Sequence, residues 1–499
     1  MKKTQSMVGM ALKKSLADNL RIIEELSGSD DIVSSPLKVG NFAAMALWCD
    51  SMINRSQTWE QVFKPLYALK SKPFESSEKL VGRLCKDGGV LAEAGEVCCF
   101  DQFFELIMSG FAVVIVDGSA VAVSIAAQGF AFRAITESYT EENVRSSREG
   151  FAEPLHINMT LIRRRIKSSL LVFETMHVGS VSNTEIALVY LKDRVSEKLL
   201  CGIRKRLSEI DIELVLESGF IQPFLSGESR SLFAGTGHTE RPDSLCGKLL
   251  EGRVGIIVDG TPFALIVPYL FTENFQSFDD YTNKPYYVSF MRILKYLAFF
   301  VSIFLPAAYV ASVNFNPEII PLKLLYNVAT AEQNTPLPLM FEALFIHLVY
   351  EIVREAGLRL PRPVGHAVSL IGALVVGEAA VSAGILGSPM VMCVALTAIS
   401  SFTIPLLYEP ITILRFCFIL IAGTLGPIGI ALGFCAMLIG ICSIKTYGIP
   451  YTAPISPYSS ALLRDGLLRR GWRSLSRHTT LLTQLNGADR KKDGDNGRA

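Results

Sequence analysis

The feature that most constrains the fold of this chain is a long stretch without charged side chains. From Ala379 to Tyr408, thirty consecutive residues include no Asp, Glu, Lys or Arg. A helix of about twenty apolar residues crosses a lipid bilayer. The Gly-Ser-Pro sequence at 387–389 interrupts the stretch, because Gly and Pro disfavour the interior of a helix. We therefore predict two membrane spans, at roughly 364–386 and 389–408.

The first of these predicted spans carries small residues at four-residue spacing. Pairs such as Ala379 and Ala383, or Ala380 and Gly384, lie on one face of a helix. Small side chains allow helix backbones to approach closely in lipid. We expect this helix to contact other protein rather than lipid on all sides.

The apolar residues are unevenly distributed, which divides the chain into two halves. The mean hydropathy is +0.35 and 19% of the residues are charged, which is unusual for a soluble protein. The apolar excess follows Tyr286. No signal peptide is evident near Met1, so we expect the N-terminal half to be cytosolic. The balance of 48 basic and 47 acidic residues gives no reason to expect nucleic acid as a partner.

The C-terminal tail indicates the topology. From Arg464 to Ala499 it has nine Lys or Arg against four Asp. Because cytoplasmic segments carry the excess of basic residues, we expect this tail in the cytosol. With both ends inside, the number of spans is even, and we favour six or four. We also expect the tail after Tyr458 to be largely dispensable for folding, since residues 486–499 are polar.

Two segments leave the span count open. Residues 339–357 form a helix with the polar residues Glu342, His347, Glu351 and Arg354. This helix either spans the membrane while facing protein or water, or lies at the membrane surface. Residues 416–444 lack charge but contain a Gly- and Pro-rich break, which predicts two short spans.

The soluble half contains an internal repeat. Residues 101–126 align with 243–268 at a constant offset of 142. Each copy predicts a short helix with an Asp at its N-cap (Asp101 or Asp243), a Gly at its end and an apolar strand. An Asp-Gly turn and a second strand follow.

The predicted fold class is therefore a cytosolic α/β region with a duplicated α/β subdomain, followed by an α-helical polytopic membrane domain. The predicted segments are an N-terminal helix and extension at 1–37, α/β subdomain 1 at 38–132, a linker with a basic helix at 133–182, α/β subdomain 2 at 183–285, the transmembrane domain at 286–446 and the basic cytosolic tail at 447–499.

The predicted linker contains a basic run. Arg163, Arg164, Arg165 and Lys167 lie close together on one helical segment. One interpretation is a solvated helix face, and the other is contact with anionic lipid headgroups.

No recognised catalytic pattern is found in the sequence. It contains no phosphate-binding loop, dinucleotide fingerprint, zinc-protease motif or nucleophile elbow. The ten cysteines form no CxxC motif. We therefore predict no enzyme, no cofactor and no metal.

Several motifs resemble one family. PRPVGHAVSLIGALVVGEAAVSAG at 361–384 and TAISSF at 397–402 are similar to the signature of the A-subunit family of bacterial spore germination receptors, the GerA family. NMTLIRRRIK at 158–167, TERPD at 239–243 and EGRVGIIVDGTPFALIVP at 251–268 are similar to it as well. The resemblance implies a multi-pass protein of the spore inner membrane.

This resemblance also implies a function and partners. A germinant receptor A subunit couples nutrient sensing to ion release through an oligomeric channel. It acts with a transporter-like B subunit, a lipoprotein C subunit, further copies of itself and membrane lipids. The alternatives are a stage V sporulation paralogue linked to dipicolinic acid release, or a secondary transporter with its own solute site.

The chain departs from the family pattern at four places. It has Ser146-Ser147 where the family usually has Gly-Pro and Glu332-Gln333 where it tends to have Arg-Glu. It also has Glu378 where the family tends to have Gln, and His366 where it has another residue. These departures indicate either a clostridial-type branch of the family or a paralogue whose gating is altered.

One stripe of the helix at 364–386 is the candidate pore lining. Its small and apolar residues recur at spacings of three and four, with Val375 as a hydrophobic constriction and Glu378 beside it to favour cations. The alternative is ordinary helix packing, with Glu378 paired to Arg415 or a backbone group. The candidate pore-lining residues are Gly365, Val368, Gly372, Val375, Glu378, Ala379 and Ser382.

Overall fold

An α/β region is followed by a helical region, as the sequence predicts. The computed structural model describes residues 10–53, 58–69, 74–86, 94–127, 141, 147–226, 231–360, 377–458, 463–466, 468–471 and 482. The α/β region consists of two units, each built around a five-stranded antiparallel sheet.

The first unit, unit 1, places its sheet between two layers of helices. Its strand order is β1-β2-β4-β5-β3. Alternate residues of a strand point to opposite faces, so Val114 packs against one apolar cluster and Ile115 against another. Both faces are buried, which explains the continuous apolar run in the sequence. The elements are α1 (Leu16–Leu26), β1 (Ile32–Val39), β2 (Phe42–Cys49), α2 (Lys64–Ala68), α3 (Ser77–Lys86), β3 (Ala94–Val97), α4 (Phe100–Ile107), β4 (Phe111–Val116) and β5 (Ala122–Ala126).

The second unit, unit 2, has the same topology. Its strand order is β6-β7-β9-β10-β8, which is the order of unit 1 in the second copy. Residues 101–126 and 243–268 both form helix, strand, turn and strand, as the repeat predicts. The elements are α5 (Leu155–Arg165), β6 (Leu171–Val178), β7 (Thr184–Leu191), α6 (Glu197–Ser208), α7 (Ser218–Ser226), β8 (Gly237–Thr239), α8 (Pro242–Leu250), β9 (Val254–Val258) and β10 (Ala264–Val267).

The repeat extends beyond the predicted subdomain limits. Residue 38 lies within β1, and residue 183 follows β6, yet both strands belong to the sheets. Helix α5, which falls in the segment read as a linker, is the counterpart of α1. Weak sequence similarity between the two helices hid this equivalence.

The repeated Asp-Gly turns hold these two helices. Asp117 Oδ1 accepts a hydrogen bond from the backbone N–H of Leu16 at 3.1 Å, and Asp259 Oδ1 accepts one from Leu155 at 2.9 Å. The first N–H groups of a helix have no partner within the helix, so each aspartate satisfies one of them. The glycines after these aspartates have φ values of 86° and 84°, which Gly adopts without strain.

The predicted N-caps of the other repeated helices are wrong by two residues. Helix α4 follows Cys99 and helix α8 follows Arg241, so Asp101 and Asp243 lie inside the first turn. The positive end of the helix dipole favours an acidic residue there as well as at the cap.

One residue of the basic run, Arg163, joins the two units. Arg163 is fully buried, and its Nη2 lies 2.8 Å from Oδ1 of Asp31 in unit 1. Arg165 Nη2 lies 2.6 Å from Glu149, and Arg164 pairs with the same carboxylate at 3.6 Å. The solvated-face interpretation is therefore wrong for Arg163, whereas Arg164 keeps 33% of its side chain exposed. Contact of the exposed positions with anionic lipid headgroups stays a prediction.

The helical region contains two apolar helices of membrane-spanning length among the described residues. They cover Pro285–Phe315 and Pro405–Ser443. The second bends at Gly426, whose backbone is not helical. The larger number of spans, six or four, remains a prediction. The helices are α9 (Pro285–Phe315), α10 (Leu322–Gln333), α11 (Leu339–Arg359), α12 (Gly377–Ser382), α13 (Ser388–Phe402) and α14 (Tyr408–Ser443).

Part of the tail after Tyr458 is integral to the fold. The backbone carbonyl of Asp465 accepts a hydrogen bond from Gln276 at 2.9 Å, and its side chain pairs with buried Arg292. Leu482 is buried in the core of unit 2. These contacts argue against the prediction that the tail after Tyr458 is largely dispensable for folding at these positions, while residues 486–499 lie outside the described residues.

Candidate functional site

The candidate pore-lining stripe lies only partly within the described residues. Gly365, Val368, Gly372 and Val375 fall outside them, as does His366. Glu378, Ala379 and Ser382 lie on α12, and all three are exposed on the single chain.

Arg415 of α14 has a different partner from the one suggested by the sequence. Its guanidinium is fully buried, and Nη1 lies 3.6 Å from Oε1 of Glu351 on α11. Its Nε donates to the carbonyl oxygen of Ser302 on α9 at 2.9 Å. The suggested pairing of Arg415 with Glu378 is therefore wrong, because α11 brings a carboxylate closer. A buried charge requires such a partner.

The Glu351 carboxylate also accepts hydrogen bonds from Tyr408 and Arg354. The Tyr408 hydroxyl lies 2.9 Å from each of its carboxylate oxygens and donates to them. Arg354 donates from Nε at 3.1 Å. The Arg354 guanidinium also lies 3.8 Å from the centre of the Tyr408 ring, a cation–π distance. We call Glu351, Arg354, Tyr408 and Arg415 the joint cluster.

Two more polar side chains lie on the inner face of α11. Glu342 is fully buried and accepts a hydrogen bond from the N–H of Gly387 at 2.7 Å. His347 is fully buried, and its Nδ1 lies 2.8 Å from the carbonyl oxygen of Ala343, which makes Nδ1 the donor. Within the described part of the chain, Glu342 Oε2 and His347 Nε2 have no hydrogen-bond partner. Polar groups inside a membrane region usually face protein or water and mark functional positions.

Helix α11 therefore directs its polar face towards protein. The sequence left open whether this helix faces protein or water, or lies at the surface. Its exposed face carries apolar side chains such as Phe341, Leu348 and Ile352, while Glu342 and His347 point inwards.

Part of this cluster could be recognised from the sequence. Glu351 and Arg354 stood out as charged residues in an apolar segment. Tyr408 carried no such signal, because a tyrosine at a helix start is common and its partner lies 57 positions away.

Among the described residues, no three His, Cys, Asp or Glu side chains lie in a group that could hold a metal ion. The side chains of the joint cluster form hydrogen bonds and an ion pair between α11 and α14.

Two repeated α/β units followed by apolar helices with buried ion pairs define a class of protein with an α/β N-terminal region and a helical C-terminal region. Residues 21–481 match the family described as Bacillus/Clostridium GerA spore germination protein. The chain belongs to this family, as its motifs indicated.

The chain is similar to two named relatives and to one solved structure. Spore germination protein KA of Bacillus subtilis (strain 168) is 39% identical over 93% of this chain and 86% of its own length. Spore germination protein B1 of the same organism is 31% identical over 94% of this chain and 98% of its own length. A crystal structure of the N-terminal domain of the A subunit of the Bacillus megaterium spore germinant receptor GerK3 is 30% identical, with a TM-score of 0.41 over 52% of this chain and 97% of that chain.

Proposed function

We propose that this protein is the membrane A subunit of a spore germinant receptor, which couples nutrient sensing to ion release through an oligomeric channel in the spore inner membrane. Membership of the GerA family carries the proposal. The proposed partners are a transporter-like B subunit, a lipoprotein C subunit and further copies of the chain, with a multi-pass topology and a cytosolic N-terminal region.

The proposed channel is formed by the helix at 364–386 around an oligomer axis. Its small residues permit close packing between copies. Exposure of Glu378, Ala379 and Ser382 on the single chain is compatible with such packing. Val375 forms the hydrophobic constriction, and Glu378 beside it favours cations.

The test changes the constriction. A smaller or more polar residue at Val375 removes the barrier to wetting, so Val375→Ser should raise ion leak in liposomes and cause spontaneous germination. Glu378→Gln should reduce the preference for cations. Val376→Ser is the matched control, since the next residue of a helix points about 100° away.

Two results would overturn this placement. One is unchanged conductance in correctly assembled Val375→Ser together with unchanged selectivity in Glu378→Gln. The other is solute counterflow without ion conductance by the wild-type chain, which would favour a secondary transporter.

A further inference from the structure

Residues 405–409 connect unit 2 to the membrane helices. Leu406 packs against an apolar cluster of unit 2 that includes Phe173 and Ile257. The next residue, Leu407, belongs to a different cluster formed mostly by the helical region, which also includes Phe233 of unit 2. Neighbouring residues of this segment thus pack in two separate apolar clusters, one in unit 2 and one mainly in the helical region.

An electrostatic interaction also links this segment to unit 2. The Glu409 carboxylate favours the charged form of His238 on strand β8. Burial lowers the pKa of His238, and the nearby carboxylates of Glu409 and Glu240 partly oppose that shift. Strand β8 is the edge strand of the unit 2 sheet.

Tyr408 lies between Leu407 and Glu409 in this segment, and its side chain contacts helix α11. Its hydroxyl donates to both carboxylate oxygens of Glu351 at 2.9 Å. Its ring lies under the Arg354 guanidinium at 3.8 Å. One aromatic side chain therefore contacts α11 in two ways, through hydrogen bonds that orient it and a stacking contact that holds its plane.

Helix α11 continues to Arg359, and the chain then enters the predicted pore helix. Helix α11 is therefore the described helix that immediately precedes the proposed pore segment in the chain. Packed helices with two arrangements are known carriers of coupling between distant sites.

We infer that Tyr408 is a positioning residue that couples unit 2 to α11 and, through α11, to the ion path. This inference rests on the proposed function. The joint cluster transmits the position of unit 2 because the Tyr408 hydroxyl and ring fix the angle between segment 405–409 and α11.

The experiment uses the full chain with its receptor partners in spores that lack other germination receptors. Ion release is recorded by conductivity over a dilution series of nutrient broth. Tyr408→Phe removes the hydroxyl but keeps the ring beneath Arg354. We expect it to shift the broth concentration for half-maximal release by about fivefold or more, the lower end of usual coupling effects. Tyr458→Phe is the control, because that side chain is 72% exposed.

A second variant separates coupling from stabilisation. Glu351→Gln keeps an acceptor but removes the charge, and the Tyr408→Phe/Glu351→Gln double variant should show less than the sum of the single shifts in log concentration. Protein amount in the spore membrane and the melting temperature of the detergent-solubilised protein are measured for every variant. If Tyr408→Phe does not accumulate, Arg354→Lys replaces it, since Lys keeps the charge but loses the planar stacking contact.

The outcomes distinguish two failures. If wild-type spores release no ions in broth, the proposed function fails and the inference falls with it. If wild-type spores respond and Tyr408→Phe matches Tyr458→Phe, the coupling role alone is overturned. A shift that only follows a loss of protein amount also overturns it, because the cluster is then merely stabilising.

Discussion

The Arg163 guanidinium of unit 2 donates hydrogen bonds to both carboxylate oxygens of Asp31 in unit 1, although the two residues are 132 positions apart. Nη2 lies 2.8 Å and 2.9 Å from the two oxygens, and Nε lies 3.2 Å from one of them. The remaining Nη1 donates to the carbonyl oxygens of Ser168 and Leu171. Each nitrogen of the guanidinium thus has a partner, which is the condition under which a buried charge is tolerated.

Removal of one member of this pair should destabilise the soluble region strongly. Asp31→Asn leaves the Arg163 charge buried without a counter-ion, and such losses cost about 3–5 kcal/mol. The melting temperature of the detergent-solubilised full chain measures the effect. Arg21→Gln is the control: Arg21 forms an exposed pair with Glu25, so its loss should cost under about 1 kcal/mol. Equal effects of the two variants would contradict the role assigned to the Asp31 pair.

The Asp31–Arg163 pair should make the free energy of unfolding depend on pH in the acidic range. Burial alone would raise the pKa of Asp31, but Arg163, Ser29 and Cys49 outweigh it and hold that pKa below its usual value of 3.8. A carboxyl group with a depressed pKa stabilises the fold above its unfolded pKa. That contribution should be lost as the pH falls below about 4 towards the folded pKa. The melting-temperature difference between wild type and Asp31→Asn should shrink over that range, and a constant difference would contradict this account.

The repeated turn aspartates should contribute similarly in both units. Asp117→Ala and Asp259→Ala each remove one acceptor from the first turn of a helix, which should cost about 1 kcal/mol. Thermal unfolding measures both, with exposed Asp211→Ala as the control. A large effect at one turn and none at the other would indicate that the two units use this aspartate differently.

The tail should divide into an essential and a dispensable part. Deletion of 459–499 removes Asp465 and leaves buried Arg292 with only Asp280, at 2.7 Å, as an ionic partner among the described residues. It also removes Leu482 from the unit 2 core. We expect this deletion to abolish accumulation in the membrane, whereas deletion of 486–499 should leave it unchanged. Immunoblotting of membrane fractions distinguishes the two, and normal accumulation of the longer deletion would refute the role of the tail contacts.

Several features could be predicted because they depend on residues close in sequence. The constant offset between the copies, the glycines that end α4 and α8 and the Asp-Gly turns are local requirements of backbone geometry. Gly110 and Gly252, for example, have φ values of 87° and 88°, which few other residues adopt. The long apolar stretches similarly indicated that the C-terminal half is helical, because a helix surrounded by protein or lipid needs apolar side chains along its whole length.

The partners of the charged residues were decided only by the tertiary structure. Arg163 belonged to a basic run that suggested a surface, and Arg415 was suggested as a partner of Glu378, yet packing gave them Asp31 and Glu351. The sequence states that a charge is present, but its partner depends on which helix faces lie against each other. Tyr408 contacts Glu351 for the same reason, because helix packing brings together residues that are 57 positions apart. The periodicity of a sequence shows only which face of one helix a residue lies on.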